Sequence, residues 1–202
     1  MRIRQHVNPN QIHFEQFKGE LPPLDHRLVE VEIGCADAQF LFERAAVDPS
    51  RLYVGIEIRE EWTLEVNRRA RASGAPVHAV FCHAQHHLGL IFARGSVERI
   101  YVNFPDPWFK RKHHHRRMVD DTLADRIADV LRPGGDLFVQ TDVWDLAIDS
   151  METFDSDERF ENVAGEWSFW RAGNPYGVRS WREENAEATG LPIWRMLYRR
   201  LA

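Results

Sequence analysis

The feature that most constrains this chain is a rhythm of short aliphatic runs. They lie at Leu28 to Ile33, Leu52 to Glu57, Val77 to Cys82, Arg99 to Phe104 and Asp136 to Thr141, with helix-like segments between them. Phe40, Leu41, Arg44, Ala45 and Val47 follow helical spacing and stop near Asp48-Pro49. Trp62, Val66 and Ala70 recur at i, i+4 and i+8 before Ser73-Gly74. A short helix is expected over Leu88 to Ala93, and another capped by Asp120 or Asp121 and running to Leu131. Arg132 to Gly135 reads as a turn and Trp144 to Phe154 as a helix. Phe160 to Trp170 and Ile193 to Arg199 read as two closing strands with a long loop between them. Strand and helix in this alternation give an α/β fold, a mostly parallel sheet covered on both faces. Residues 1–26 carry Pro9, Pro22 and Pro23 without periodicity and are expected to form an arm, and residues 27–202 a single domain.

Ligands of such sheets bind beyond the carboxyl ends of the strands, at the topological switch point. The residues to inspect are therefore Glu32 and Gly34, Glu57, His83, Asp106, then Thr141 and Asp142. Glu57 lies 25 residues after Glu32, near where nucleotide-binding α/β folds place an acid on a ribose diol. A carboxylate suits that task because it accepts from both hydroxyls, but a strand-capping surface acid is equally consistent. Glu32, beside the glycine turn, suits an ammonium or a salt bridge to an arginine. The turn Gly34-Cys35-Ala36-Asp37-Ala38 lacks the G-x-G-x-x-G pattern, which counts against a nicotinamide enzyme. Cys35 reads as packing. His113-His114-His115 are consecutive and point in different directions, so no metal site is expected there.

The net charge of −5 means that any nucleic-acid binding must use a local concentration of positive charge. One exists: Lys110 to Arg117 holds five Lys or Arg and three His. Immediately before it, Phe104-Pro105-Asp106-Pro107-Trp108 leaves a strand with two prolines around one carboxylate. Proline sterics predict extended backbone at Phe104 and Asp106. No apolar run approaches the roughly 18 residues of a membrane helix. The N-terminus is not a secretory signal, and two cysteines make no disulfide framework, so the cytoplasm is the expected compartment.

These motifs resemble the S-adenosylmethionine-dependent tRNA (guanine-N7-)-methyltransferases. The segment Phe104 to Arg117 is similar to the family's FPDPW-x-KKRH-x-KRR signature. Glu32-Ile33-Gly34, Gly55-Ile56-Glu57, Pro133-Gly134-Gly135, Thr141-Asp142 and Ser180-Trp181-Arg182-Glu183 match further motifs, so that the likeness runs from Glu30 to Tyr198. Arg4 to Pro9 and Phe109 resemble the cyanobacterial and plant branch.

The resemblance implies a Rossmann-like class I methyltransferase fold with a seven-stranded sheet. It implies Asp106 as the catalytic carboxylate, and Glu32, Gly34, Glu57, His83 and Asp106 around S-adenosylmethionine. It places Lys110, Asp142, Ser180 and Glu183 on the substrate, and Arg111, Lys112, His113, Arg116 and Arg117 on the RNA backbone. It implies tRNA as the partner, no membrane, no metal, and a monomer or homodimer. Ala36 and Ala38 replace glycines of the cofactor loop, and His83 stands where the family has Asp or Asn. Alanine is strained at positive φ, so negative φ is expected at both alanines. A second reading is an RNA-binding relative that has lost its cofactor; a third, a small-molecule methyltransferase, sits poorly with the basic tract.

Overall fold

The computed structural model describes residues 19–25, 27–110, 113 and 116–202. Most of the expected arm, and Arg111 and Lys112 of the basic tract, lie outside the described residues. The elements in chain order are β1 (Val29–Ile33), α1 (Gln39–Val47), β2 (Leu52–Glu57), α2 (Glu60–Ser73), β3 (Val77–Phe81), α3 (Ala84–Ile91) and β4 (Val97–Asn103). They continue as α4 (Asp121–Val130), β5 (Leu131–Thr141), α5 (Trp144–Asp155), β6 (Phe160–Asn162), α6 (Trp181–Ala188) and β7 (Trp194–Arg200).

The strands form one seven-stranded sheet in the order β3-β2-β1-β4-β5-β7-β6. β1 to β5 run parallel, and β7 pairs antiparallel with both β5 and β6. The chain steps outward from β1 to β3 on one side and restarts at β4 on the other. The switch point therefore lies between β1 and β4.

Period-two alternation sorts the side chains of β1. Val29, Val31 and Ile33 enter a core with Leu88 of α3, Leu123 and Ile127 of α4, and Phe154 of α5. Burying each such side chain contributes about 1.5–3 kcal/mol. The opposite face carries Glu30 and Glu32, among a second core built from Phe40, Leu41, Tyr53, Val66, Tyr101 and Phe138. Asp120 caps α4, its carboxylate accepting from the Leu123 amide at 2.9 Å.

Four local expectations change. α3 begins at Ala84, ahead of the apolar Leu88. The expected turn at Arg132 to Gly135 is a bulge inside β5, where the register to β4 shifts between Val97 and Arg99. β6 stops at Asn162, whose side chain turns inward to Asp155 and to the Ser168 carbonyl. The long loop after it contains α6, a helix whose buried residues are Glu183 and Ala186 and which shows no apolar stripe in the sequence. No described helix is long and apolar enough to cross a membrane.

Candidate active site

The carboxyl ends of β1 to β5 bring the inspected residues to one edge of the sheet. Gly34 turns the chain out of β1 at φ 79°. The loop lies so close to β2 that a Cβ on Gly55 would sit 2.3 Å from the Cys35 sulfur. Ala36 and Ala38 both adopt positive φ, 48° and 54°, against the expectation of negative values. One tertiary and one local turn bond hold them there: the Ala36 amide donates to Glu57 Oε2 at 2.8 Å and the Ala38 amide to the Cys35 carbonyl at 2.7 Å. The Cys35 thiol is pushed well up by burial and by the Glu57 and Glu32 carboxylates, consistent with a packing role.

Glu32 is buried, and only its Oε1 is engaged, accepting from Asn103 Nδ2 at 2.7 Å across the β1/β4 switch point. Its Oε2 is buried without a hydrogen-bond partner. Burial pushes its carboxyl up to about 8, against the lowering effect of the Asn103 bond and with smaller additions from Asp37 and Glu57. A buried carboxyl short of donors, held protonated by burial, is a place where a cationic ligand group can replace the proton.

Glu57 is also buried but fully engaged. It accepts from the amides of Ala36, Ile58 and Arg59 and from Arg59 Nε and Nη2, each within 2.8–3.0 Å. Burial pulls the Arg59 guanidinium down, but Glu57, and after it Asp106, hold it above its usual range. Arg59 thus pairs with the carboxylate of β2 and feels the charge of Asp106 in the turn after β4. His83 precedes α3 and donates its amide to His87 Nδ1 at 3.1 Å. Burial, with His86 and His87 nearby, lowers its imidazole to about 4, so it is neutral at neutral pH.

Asp106 is half-buried in a turn braced from both sides. Phe104 takes φ 49° rather than the expected extended form, and Trp108 takes φ 43°. The residue before proline is disfavoured in the right-handed well, and the left-handed well is the other way to turn the chain off the sheet. The Phe104 amide still reaches the Gln140 carbonyl at 2.8 Å. Arg117, expected on the phosphate-facing side, is 8% exposed. It donates to the Pro107 carbonyl at 3.1 Å and pairs with Asp149, so it braces the turn from beneath. The Arg116 guanidinium lies 5.1 Å from the Trp108 ring centre, and the His113 ring meets the same indole edge-on at 5.9 Å. Lys110 and Phe109 are exposed.

Across the site, Ser180 caps α6 by accepting from the Glu183 amide at 3.2 Å. The Glu183 side chain is fully buried and accepts from Gln140, Asn174 and Arg195 at 2.8–2.9 Å. Asp142 pairs with Arg182. Trp181 is 64% exposed at the start of the helix. Among the described residues no group of three or more His, Cys, Asp or Glu is arranged to hold a metal ion.

The profile of a family described as "Putative methyltransferase" matches residues 26–196. A tRNA (guanine-N(7)-)-methyltransferase of Trichormus variabilis is 32% identical over 215 residues, spanning 100% of this chain and 97% of that protein. One of Synechococcus sp. (strain WH7803) is 36% identical over 208 residues, spanning 98% and 87%. The chain belongs to the tRNA (guanine-N7-)-methyltransferase family. In fold it is similar to the 16S rRNA methyltransferase KamB, with TM-score 0.61, 15% identity, and 87% and 88% of the two chains covered.

In this chain the FPDPW turn after β4, the glycine turn after β1 and the Ser180–Glu183 start of α6 lie at one edge of the sheet. Asn103, Gln140, Arg59 and Arg195 join them and were not singled out from sequence. The available signal was position: Asn103 directly precedes the turn, and Gln140 directly precedes Thr141-Asp142.

Proposed function

We propose that the protein transfers a methyl group from S-adenosylmethionine to N7 of a guanosine in tRNA. The observation that carries this reading is the open, buried Oε2 of Glu32 at the switch point, next to a braced Asp106 turn. When bound, S-adenosylmethionine supplies an electrophilic methyl group on a sulfonium. Glu32 would accept from the cofactor's ammonium, and Glu57 would hold its ribose in exchange for bonds it now accepts from Arg59. Exchanging one set of charged hydrogen bonds for another costs little net free energy. His83, neutral at neutral pH, would line the adenine end.

Guanine N7 carries an in-plane lone pair and no proton, so no strong general base is required. The protein's task is alignment in a water-poor site. Asp106 holds the base through its N1–H and N2–H₂ donors and favours the cationic product by its charge. Lys110, Arg111, Lys112 and Arg116 would contact the phosphates, while Arg117 maintains the turn. Of Trp108 and Trp181, the exposed Trp181 is the better placed to stack on an unstacked base, since Trp108 is flanked by Arg116 and His113. Ser180 and Glu183 set the helix that frames the substrate, and Asp142 acts through Arg182.

The saturation of Glu57 by Arg59 favours a second reading, an RNA-binding relative without cofactor. Incubation with methyl-labelled cofactor and unmodified tRNA, followed by mapping of the product, separates them. Label at N7 of guanosine is the expected result; retained tRNA binding without label supports the second reading. In the same assay Asp106→Asn should keep tRNA affinity and lower turnover by about a hundredfold or more. Near-normal turnover would reduce Asp106 to a turn residue.

A further inference from the structure

Gln140 is fully buried near the end of β5 and touches three parts of the site at once. Its main-chain carbonyl accepts from the Phe104 amide at 2.8 Å and so pins the root of the Asp106 turn. Its Nε2 donates to Asn103 Oδ1 and to Glu183 Oε2, both at 2.9 Å. Its Oε1 accepts from Arg195 Nε at 3.3 Å, and Arg195 in turn holds Glu183 at 2.8 Å. Asn103 completes the path by donating to Glu32 Oε1 at 2.7 Å.

The orientation of both amides is forced. Arg195 can only donate, so Gln140 must turn its oxygen to the arginine, which puts its NH₂ on Asn103 and Glu183. Asn103 must then turn its oxygen to Gln140, which leaves its NH₂ for Glu32. Reversing either amide sets like groups against each other in a buried setting, where an unmet polar group costs about 1–3 kcal/mol. The chain Glu32–Asn103–Gln140–Glu183 therefore has one satisfied arrangement. Charge developed on Glu32 strengthens the Asn103 bond, polarises the Asn103 carbonyl and draws on the NH₂ that Gln140 shares with Glu183.

We propose that Gln140 is a positioning residue that holds Glu32, the Asp106 turn and α6 in one register, so that filling the site at Glu32 firms α6. The proposal rests on the functional reading above, in taking Glu32 as the cofactor's carboxylate and α6 as the substrate's helix.

Hydrogen exchange on the whole protein, with and without S-adenosylhomocysteine, tests it without requiring turnover. In the wild type, ligand should slow α6 amides on the order of tenfold, the scale of one hydrogen bond. In Gln140→Met, which keeps the volume, ligand should still slow the Gly34–Ala38 loop but leave α6 unchanged. Gln140→Glu, which keeps the shape and places a second carboxyl against Glu183, should also uncouple α6 and serves if the methionine variant does not fold. Adding Glu183→Gln to Gln140→Glu restores a donor–acceptor match and should recover part of the α6 response.

Equal slowing of α6 in wild type and variants, or none in the wild type, overturns the proposal. Methyl transfer to tRNA is measured on the same preparations. A wild type that transmits protection but transfers no methyl group sinks the functional reading and leaves the role of Gln140 standing. A wild type that methylates while Gln140→Met retains α6 protection does the reverse.

Discussion

Glu30 and Glu32 leave the same face of the same strand, about 7 Å apart along it, and live under opposite rules. Both are buried, at 0% and 4% exposure. Glu30 is surrounded: Tyr101 donates at 2.6 Å, Arg99 at 2.9 Å, and Arg44 and Arg51 approach to 3.2 Å. Burial and then Glu30 itself push the Tyr101 hydroxyl well up, so it stays a donor. Glu32 has one amide donor and one empty oxygen. The difference teaches how to tell a carboxylate that holds a fold together from one that waits for a ligand. Burial is the same for the two, and the donor inventory separates them.

The largest effect should come from breaking the surrounded site. Glu30→Gln leaves three guanidiniums converging on a neutral group, and removing one partner of a buried ion cluster costs about 3–5 kcal/mol. For a chain of this size that is a fall in Tm on the order of 10 °C. Cofactor affinity of the folded protein should not change. Thermal unfolding followed with calorimetric titration checks both halves. A stable variant with weakened cofactor binding would reverse the assignment of the two carboxylates.

Glu32→Gln should do the opposite. With its carboxyl raised to about 8, Glu32 is mostly protonated at pH 7, so glutamine replaces a group that is already neutral. Stability there should hold to within about 1 kcal/mol. Cofactor affinity should fall about tenfold to a hundredfold, the loss of one charged hydrogen bond. Between the ordinary carboxyl value of 4.5 and about 8, the folded wild type holds a proton that the unfolded chain has released. Wild-type stability therefore falls as pH rises through that window, and the variant should lose this slope. A cationic ligand drives the proton off, so titration at pH 7 in buffers of different ionisation enthalpy should show close to one proton released per ligand bound. The same release from Glu32→Gln would place the titrating group elsewhere.

The sequence exposed the frame of this comparison and hid its substance. Strand ends could be read because aliphatic runs stopping at Gly34, Glu57 and Asp106 follow from the βαβ period. Glu30 and Glu32 look alike in the sequence Val29-Glu30-Val31-Glu32-Ile33. What distinguishes them arrives from residues as distant as Arg99 and Tyr101, set by the β1/β4 register. The salt bridge weighed for Glu32 exists, but two residues earlier. α6 is hidden for a related reason: its inward face carries Glu183, a charge satisfied by Gln140, Asn174 and Arg195 from elsewhere in the chain. A basic run gives no sign of which member turns inward, as Arg117 does toward Pro107 and Asp149.

The smallest expected effect lies in the loop over Glu32 and decides whether its backbone strain is a burden. Ala36 and Ala38 at φ 48° and 54° each carry about 1 kcal/mol that glycine would not. Against this, glycine gains freedom in the unfolded chain, a loss of about 0.4–1 kcal/mol of stability. Ala38 is also fully buried, and its methyl contributes about 0.8 kcal/mol more. The sums differ in sign. Ala36→Gly, at a half-buried position, should be neutral to slightly stabilising. Ala38→Gly should be destabilising by a few tenths of a kcal/mol or more. Neither change touches Glu30, so both should leave the response of that site to denaturant intact, while ligand affinity at Glu32 shifts by less than about tenfold. Paired urea melts and titrations rank the two variants. If Ala38→Gly were the more stable, the buried methyl would contribute less than the left-handed backbone costs, and the loop would be strained for the sake of the site it covers.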